Sequence, residues 1–282
     1  MVSHNELVEA FERGAWSGKA SSMFIDGDVM YSYGHHFPLA VRMDWGYLLN
    51  GDRHSVTTSR HQSHCRCLTP NIIVPFSALQ GAGIYPIWSY LPPATDPSFG
   101  VVHCSEDKTR TVRYINSKGE EAEREEHLLG ACVFSYKPPE HYKHTRYYLS
   151  ATDANAKGWG GGYFLSLLPC KVSTVDEAYE ALWPKTLAKD APHLRQGEFF
   201  LEPMPEFSPT GVVYHRETIN SFLGNKDGNP HVASELVKVG KEIFIRGTLR
   251  HPEHYMVKMG RIWHRVHINR AVESWSAGGN VD

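Results

Sequence analysis

The sequence predicts an α+β fold: an N-terminal helix with an antiparallel β-meander, followed by a C-terminal β-rich unit of barrel or sandwich type. Three observations lead there. Leu7, Val8, Phe11 and Ala15 recur at helical spacing behind Ser3, a residue able to cap a helix start. Beyond them, MFID, DVMYSYG, HFPLAVRM and GYLLN are short extended runs separated by turn signals at Asp26-Gly27, Gly34, Asp44 to Gly46 and Asn50-Gly51. From His193 onward, short β-type runs punctuated by glycine and proline return.

Taken in order, the first helix should cover residues 3–17 and dock its apolar stripe on the meander. In HSVTTSRHQSHCRCL the strand alternation stops and a second helix is expected, with Thr57, Thr58 or Ser59 as its N-cap; NIIVPF then returns to strand. The proline-rich loop YLPPATDPSFG closes a first unit, residues 1–95. A bridging segment, 96–192, reads as a hairpin turning at Ser117-Lys118-Gly119, a buried strand near Leu128 to Tyr136, strands in HYKHTRYYLSATD and GYFLSLLP, and a helix capped by Thr174 and stopped near Pro184. The last unit, 193–282, strings together EFFLEP, GVVYH, the loop SFLGNKDGNPH, KEIFIRGTL, HYMVKMG and RIWHRVHIN.

Bulk properties narrow the function. Apolar residues make up 41% and charged ones 21% of 282 residues, a composition able to bury one large core or two ordinary ones. A formal charge of −2 excludes the basic footprint of a general nucleic-acid binder. No apolar run is long enough for a membrane span, and MVSHNELVEAFERGAWSGK lacks the apolar centre of a signal peptide. Five scattered cysteines are expected to be thiols in a reducing cytosol, so the predicted location is cytoplasmic. Cys65 and Cys67 lack the two-residue gap of a zinc knuckle.

Histidine is the residue type in excess, with seventeen in the chain, four of them between Arg246 and Asn269. In RIWHRVHIN, alternation puts Ile262, His264, Val266 and Ile268 on one face and Trp263, Arg265 and His267 on the other. His264 therefore shares the apolar face, and His267 is expected at the surface. A buried imidazole must be hydrogen-bonded or ligating, because an unpaired buried polar group costs about 1–3 kcal/mol. His251 and His254 flank Pro252 at a spacing where a turn can aim both rings one way, and His231 follows another turn. The predicted metal ligands are thus His231, His251, His254 and His264, with zinc or iron as the cofactor and a position left for water or substrate. Glu253 and His254 are the candidate catalytic residues, Glu253 as a base or as the carboxylate that orients a ligand. A metal-free acid/base cluster at the same residues is the alternative, and the implied activity is that of a metal-dependent hydrolase or oxygenase.

The order RQGEFFLEP (Arg195 to Pro203), a histidine after a glycine-containing turn (His231), RGTLRHPEH (Arg246 to His254) and WHRV (Trp263 to Val266) resembles a module of uncharacterised bacterial and phage proteins. Those relatives carry an RQGD-type strand start, a G-H-x-H segment and an H-x-E-H segment. Here Glu198 stands where aspartate is usual, and PHVAS supplies one histidine where two are usual. MFIDGDVMYSYGHHFPLAVR with HSVTTSRHQSH is similar to hypothetical proteins of phages and mobile elements. Together the resemblances span roughly half the chain and imply no established activity. Glycine, proline and histidine spacings also resemble those of cupins, as an analogy of fold alone.

A second candidate surface is TTSRHQ, where Thr58, Ser59, Arg60 and His61, joined by Arg53 and Arg42, form a possible anion or nucleic-acid site, with Tyr31, Tyr33 and Phe37 available for stacking. Nucleic acid or a host protein is the partner this implies, and a non-catalytic binding module is the competing function. GWGGGYF lacks the G-K-[ST] ending of a phosphate loop, so no nucleotide-cofactor motif is present, and there is no G-x-S-x-G elbow.

Overall fold

The computed structural model describes residues 2–269 except 53, 83, 85–97, 107, 116, 117, 119, 129, 138–144, 154, 155, 157–161 and 220–229. Among the described residues the fold mixes four helices with eighteen strands. Helix α1 (His4–Glu12) is followed by β1 (Ser17–Ala20), β2 (Met23–Asp26), β3 (Val29–Ser32), β4 (Gly34–Met43) and β5 (Gly46–Asn50). Ser3 caps α1 as predicted, in a reciprocal capping box with Glu6. Helix α2 (Val56–Cys65) then leads to β6 (Asn71–Val74), which pairs with β5 in parallel, so the first sheet, β1-β2-β3-β4-β5-β6, is a meander extended by one crossover.

Helix α3 (Phe76–Gly81) precedes the middle strands: β7 (Ser98–Cys104), β8 (Lys108–Ile115), β9 (Glu121–Leu128), β10 (Cys132–Lys137), β11 (Arg146–Asp153) and β12 (Gly162–Leu167). Strands β8 and β9 form the expected hairpin; Ser117 and Gly119 of its turn lie outside the described residues. The others make a second sheet, β12-β11-β10-β7. Helix α4 (Val175–Leu182), capped by Thr174, buries Val175, Ala178 and Leu182 against Val133, Leu149 and Ala151 of that sheet. The opposite face of the second sheet meets the first, where Phe134, Tyr148 and Leu165 pack with Val41, Leu48 and Ile72. On the far face of the first sheet, α1 covers Met23, Ile25 and Leu39. The order of layers is helix, sheet, sheet, helix.

The third sheet, β13 (Leu194–Gln196), β14 (Phe199–Met204), β15 (Val213–Thr218), β16 (Val232–Val239), β17 (Glu242–Arg250) and β18 (Val257–Ile268), has the antiparallel order β13-β14-β18-β17-β16-β15. Of the expected barrel or sandwich, the barrel is not formed. Closure needs a ladder between first and last strands, and three-residue β13 pairs with β14 alone among the described residues. HYMVKMG and RIWHRVHIN, read as two strands, are one, with Gly260 at φ 65° where the register with β17 shifts.

The cysteine expectation also needs correction. Cys104 and Cys132 are cross-strand partners on β7 and β10 and are disulfide-bonded, leaving Cys65, Cys67 and Cys170 free. This pairing removes the cysteine argument for a reducing compartment. No helix among the described residues is long and apolar enough to cross a membrane.

Arg42 ties the first two layers together. Its guanidinium donates to the carbonyls of Phe11 (2.6 Å) and Ala15 (3.1 Å), pairs with Asp28 (3.0 Å) and lies 4.4 Å from the centroid of the Phe11 ring. Arg42→Ala leaves two helix-end carbonyls and one carboxylate without this donor, so urea denaturation should show a loss of about 2–4 kcal/mol. A loss below 0.5 kcal/mol would mean that the docking of α1 is carried by its apolar face alone.

Candidate metal centre

Antiparallel register assembles the histidines. Val232, the first residue of β16, pairs with Arg250, the last of β17. His231 precedes the one and His251 follows the other, so the two imidazoles face each other across the strand ends with ring centroids 4.2 Å apart. The chain then turns through Pro252 and brings His254 back, its ring centroid 4.7 Å from that of His251. Ligand nitrogens of His231, His251 and His254 all lie within 4.8 Å of one another, close enough to hold a metal ion. Three nitrogens around a tetrahedral zinc at about 2.1 Å would be roughly 3.4 Å apart; closing on an ion takes a contraction of at most about 1.4 Å from the 4.8 Å limit.

The turn between β13 and β14 forms the wall opposite. Gly197 adopts φ 55°, and a Cβ placed on it would lie 3.0 Å from Nε2 of His254 and 3.5 Å from Nε2 of His231. Both nitrogens therefore face a space that exists because this residue has no side chain. Gln196, fully buried, donates to the carbonyls of Leu249 (3.2 Å) and Tyr255 (2.7 Å) and so straps the histidine-bearing turn to β13. Phe199 packs its ring 4.7 Å from that of His231.

Carboxylates stand behind two of the rings. Asp153, at the end of β11, places Oδ2 3.3 Å from Nδ1 of His254, and the neighbouring Ala156 forms a β-bridge with His254 itself. Glu198 places Oε1 3.9 Å from Nδ1 of His231. His251 instead accepts at Nδ1 from the backbone N–H of Glu253 at 3.2 Å. That bond favours the Nε2–H tautomer; a metal on Nε2 would need the proton on Nδ1 and would cost one weak hydrogen bond.

Burial disfavours the charged form of two of the rings. His231 is pushed down to about 2 by desolvation and by its neighbours His251 and His254. His254 is lowered by desolvation in spite of Asp153 beside it. Desolvation raises the carboxyl of Glu198. Neutral imidazole is the form that ligates a metal.

Three of the four predicted ligands meet; His264 does not. Its strand partner is Ile245, six residues before His251, which places it roughly 15–20 Å along the sheet at about 3.3 Å per residue. His264 is fully buried on the apolar face, with Nδ1 3.0 Å from the carbonyl of Ile262 and no hydrogen-bond partner at Nε2. Glu253 is exposed at the turn and meets the site through its backbone. His267, expected at the surface, is buried between Thr186 (2.7 Å) and Glu202 (2.9 Å). Asp153, Gln196 and Gly197 are site residues whose roles the motifs left unassigned.

The TTSRHQ surface is partly dismantled. Ser55, not a later hydroxyl, caps α2, and Thr58 is buried as its capping-box partner. His61 is buried between the hydroxyls of Ser22 (3.2 Å) and Ser32 (2.7 Å). Ser59 and Arg60 remain exposed, Arg42 is engaged with α1, and Arg53 lies outside the described residues. No family model matches the chain, and no curated protein or solved structure is similar to it.

Desolvation lowers His264 to about 4 from the ordinary 6.5. The unfolded chain therefore binds a proton that the folded one refuses between those pH values. Stability falls by about 3 kcal/mol as pH drops from 6.5 to 4, and is flat in this respect above and below. His264→Leu removes this component, so its acid-unfolding midpoint should move to lower pH than that of the parent chain. Superimposable acid curves would show that His264 is not held neutral.

Proposed function

We propose that His231, His251 and His254 form a three-histidine transition-metal centre of the catalytic type, with a hydrolytic, zinc-like chemistry. The observation that carries this reading is that ligand nitrogens of the three histidines lie within 4.8 Å of one another, with the Nε2 atoms of His254 and His231 facing the gap kept open by Gly197 and Asp153 Oδ2 3.3 Å from Nδ1 of His254. A carboxylate at the outer nitrogen of a metal-ligating histidine fixes its tautomer and orientation, and Asp153 stands at that position beside His254. The buried carboxylate of Asp153, beside imidazoles, also supplies charge that a divalent cation would balance.

The donor set favours zinc over iron. Non-haem iron oxygenases use two histidines and a carboxylate as ligands, whereas here the carboxylates of Asp153 and Glu198 stand at the nitrogens turned away from the gap. Three imidazoles leave a position for water, and the ion would lower the pKa of that water to about 7 and polarise a bound carbonyl or phosphoryl group. The chain's own part is to hold three rings neutral and oriented. Phage or mobile-element origin belongs to this reading as an expectation from sequence, as does a cytoplasmic location, the latter now without support from the cysteines.

Protein purified without a tag should carry about one zinc per chain by elemental mass spectrometry, and His264→Leu should keep it. His251→Ala should lose the metal while retaining the circular dichroism of the parent. A parent chain that takes up no zinc from a micromolar supply, or a His251→Ala variant that retains it, would overturn the proposal. Asp153→Asn, which keeps size but not charge behind His254, should weaken zinc binding by about 10–100-fold in a competition with a chromophoric chelator. Unchanged affinity would make Asp153 a packing residue only.

A further inference from the structure

A cleft of about 1000 Å³ lies between α2, the first sheet and Tyr163 of β12, separate from the histidine centre. Its size matches the upper range of small-molecule sites, about 300–1,000 Å³. We infer that it binds a small organic phosphate with an apolar or aromatic body, of the size of a nucleoside monophosphate.

The walls divide by chemistry. Ile73 of β6, half-buried, and Val56 at the exposed start of α2 provide apolar surface in the cleft, while Leu39 and Leu49 beneath are buried in the core. Helix α2 spends one face on the core, through Thr58, His61 and Cys65, and turns Ser59, Arg60, Ser63 and Arg66 toward the cleft. Neither guanidinium has an ionic partner among the described residues, and no carboxylate is among the described residues that line the cleft. Two arginines beside the apolar surface of Val56 and Ile73 favour a ligand with an anionic end and an apolar body. A phosphate uses such forked donors better than a carboxylate does, since three oxygens accept at once.

The third wall comes from the second sheet. A Cβ on Gly51 would lie 3.1 Å from the ring of Tyr163, so the bare backbone at residue 51 is what lets this aromatic ring stand against the loop before α2. Tyr163 thereby places an aromatic ring in the wall of the cleft, the kind of side chain on which a planar base stacks. This arrangement is independent of the metal reading: it shares no residue with the histidine centre.

Isothermal titration of the full chain at low ionic strength tests the inference, with adenosine 5′-monophosphate as the probe and adenosine and inorganic phosphate as the part-probes. The nucleotide should bind at least about tenfold more tightly than either part. Arg60→Ala combined with Arg66→Ala, both at exposed positions, should weaken it by about tenfold or more while leaving the fold unchanged by circular dichroism, and Tyr163→Ala should weaken the nucleotide but not phosphate. The inference is overturned if the nucleotide gives no saturable signal at millimolar concentration, if phosphate alone binds as tightly, or if the double variant binds as well as the parent. Tighter, steeply salt-dependent binding of a ten-residue oligo-dT would also overturn it, in favour of a nucleic-acid groove.

Discussion

Three imidazoles with ligand nitrogens within 4.8 Å of one another disfavour positive charge among them, and much of the third sheet's end is arranged around that constraint. Each proton added would bring a positive charge into a space already desolvated and close to two similar rings, which is why His231 is driven so far below the ordinary histidine range. A protein gains nothing in stability from such a cluster by itself, because neutral imidazoles still carry polar nitrogens that need partners. The strap made by Gln196, the missing side chain at Gly197 and the carboxylate of Asp153 favour an arrangement of the rings that hydrophobic burial alone would not select.

The site belongs to more than one layer. His231 and His251 come from paired ends of β16 and β17, but His254 is held from outside by Asp153 and by the bridge with Ala156, both following from β11 of the second sheet. The second sheet also shares a core with the first, through residues such as Phe134 and Tyr148. A shift of the second sheet would therefore move the carboxylate behind one ligand while leaving the other two in place. Tyr163 pairs with Thr152, the residue beside Asp153, so the same end of the β11–β12 hairpin reaches both the histidine centre and the cleft along α2.

Much of the fold was legible because period-two alternation and turn residues are local signals. The strands from Met23 to Asn50 and the helices capped by Ser3 and Thr174 followed from them. What failed depended on long-range register. Alternation correctly put His264 on a buried face, but position along a sheet is set by pairing, and β16 had not been recognised as a strand, so nothing separated His264 from the strand-end histidines. Asp153 was invisible for the same reason, being about a hundred residues upstream of the ring it faces. The Cys104–Cys132 pair needed the β7–β10 register, and the cap of α2 needed the Ser55–Thr58 reciprocity that a search for the nearest hydroxyl overlooks.

The central claim is the composition of the metal centre, and X-ray absorption at the zinc edge of the loaded protein reads it most directly. The account predicts a shell of nitrogen and oxygen scatterers at about 2.0–2.1 Å, with the outer scattering of three imidazoles and no sulfur. A sulfur shell near about 2.3 Å would place the metal at cysteine instead, and outer scattering from fewer than three imidazoles would contradict the three-histidine centre.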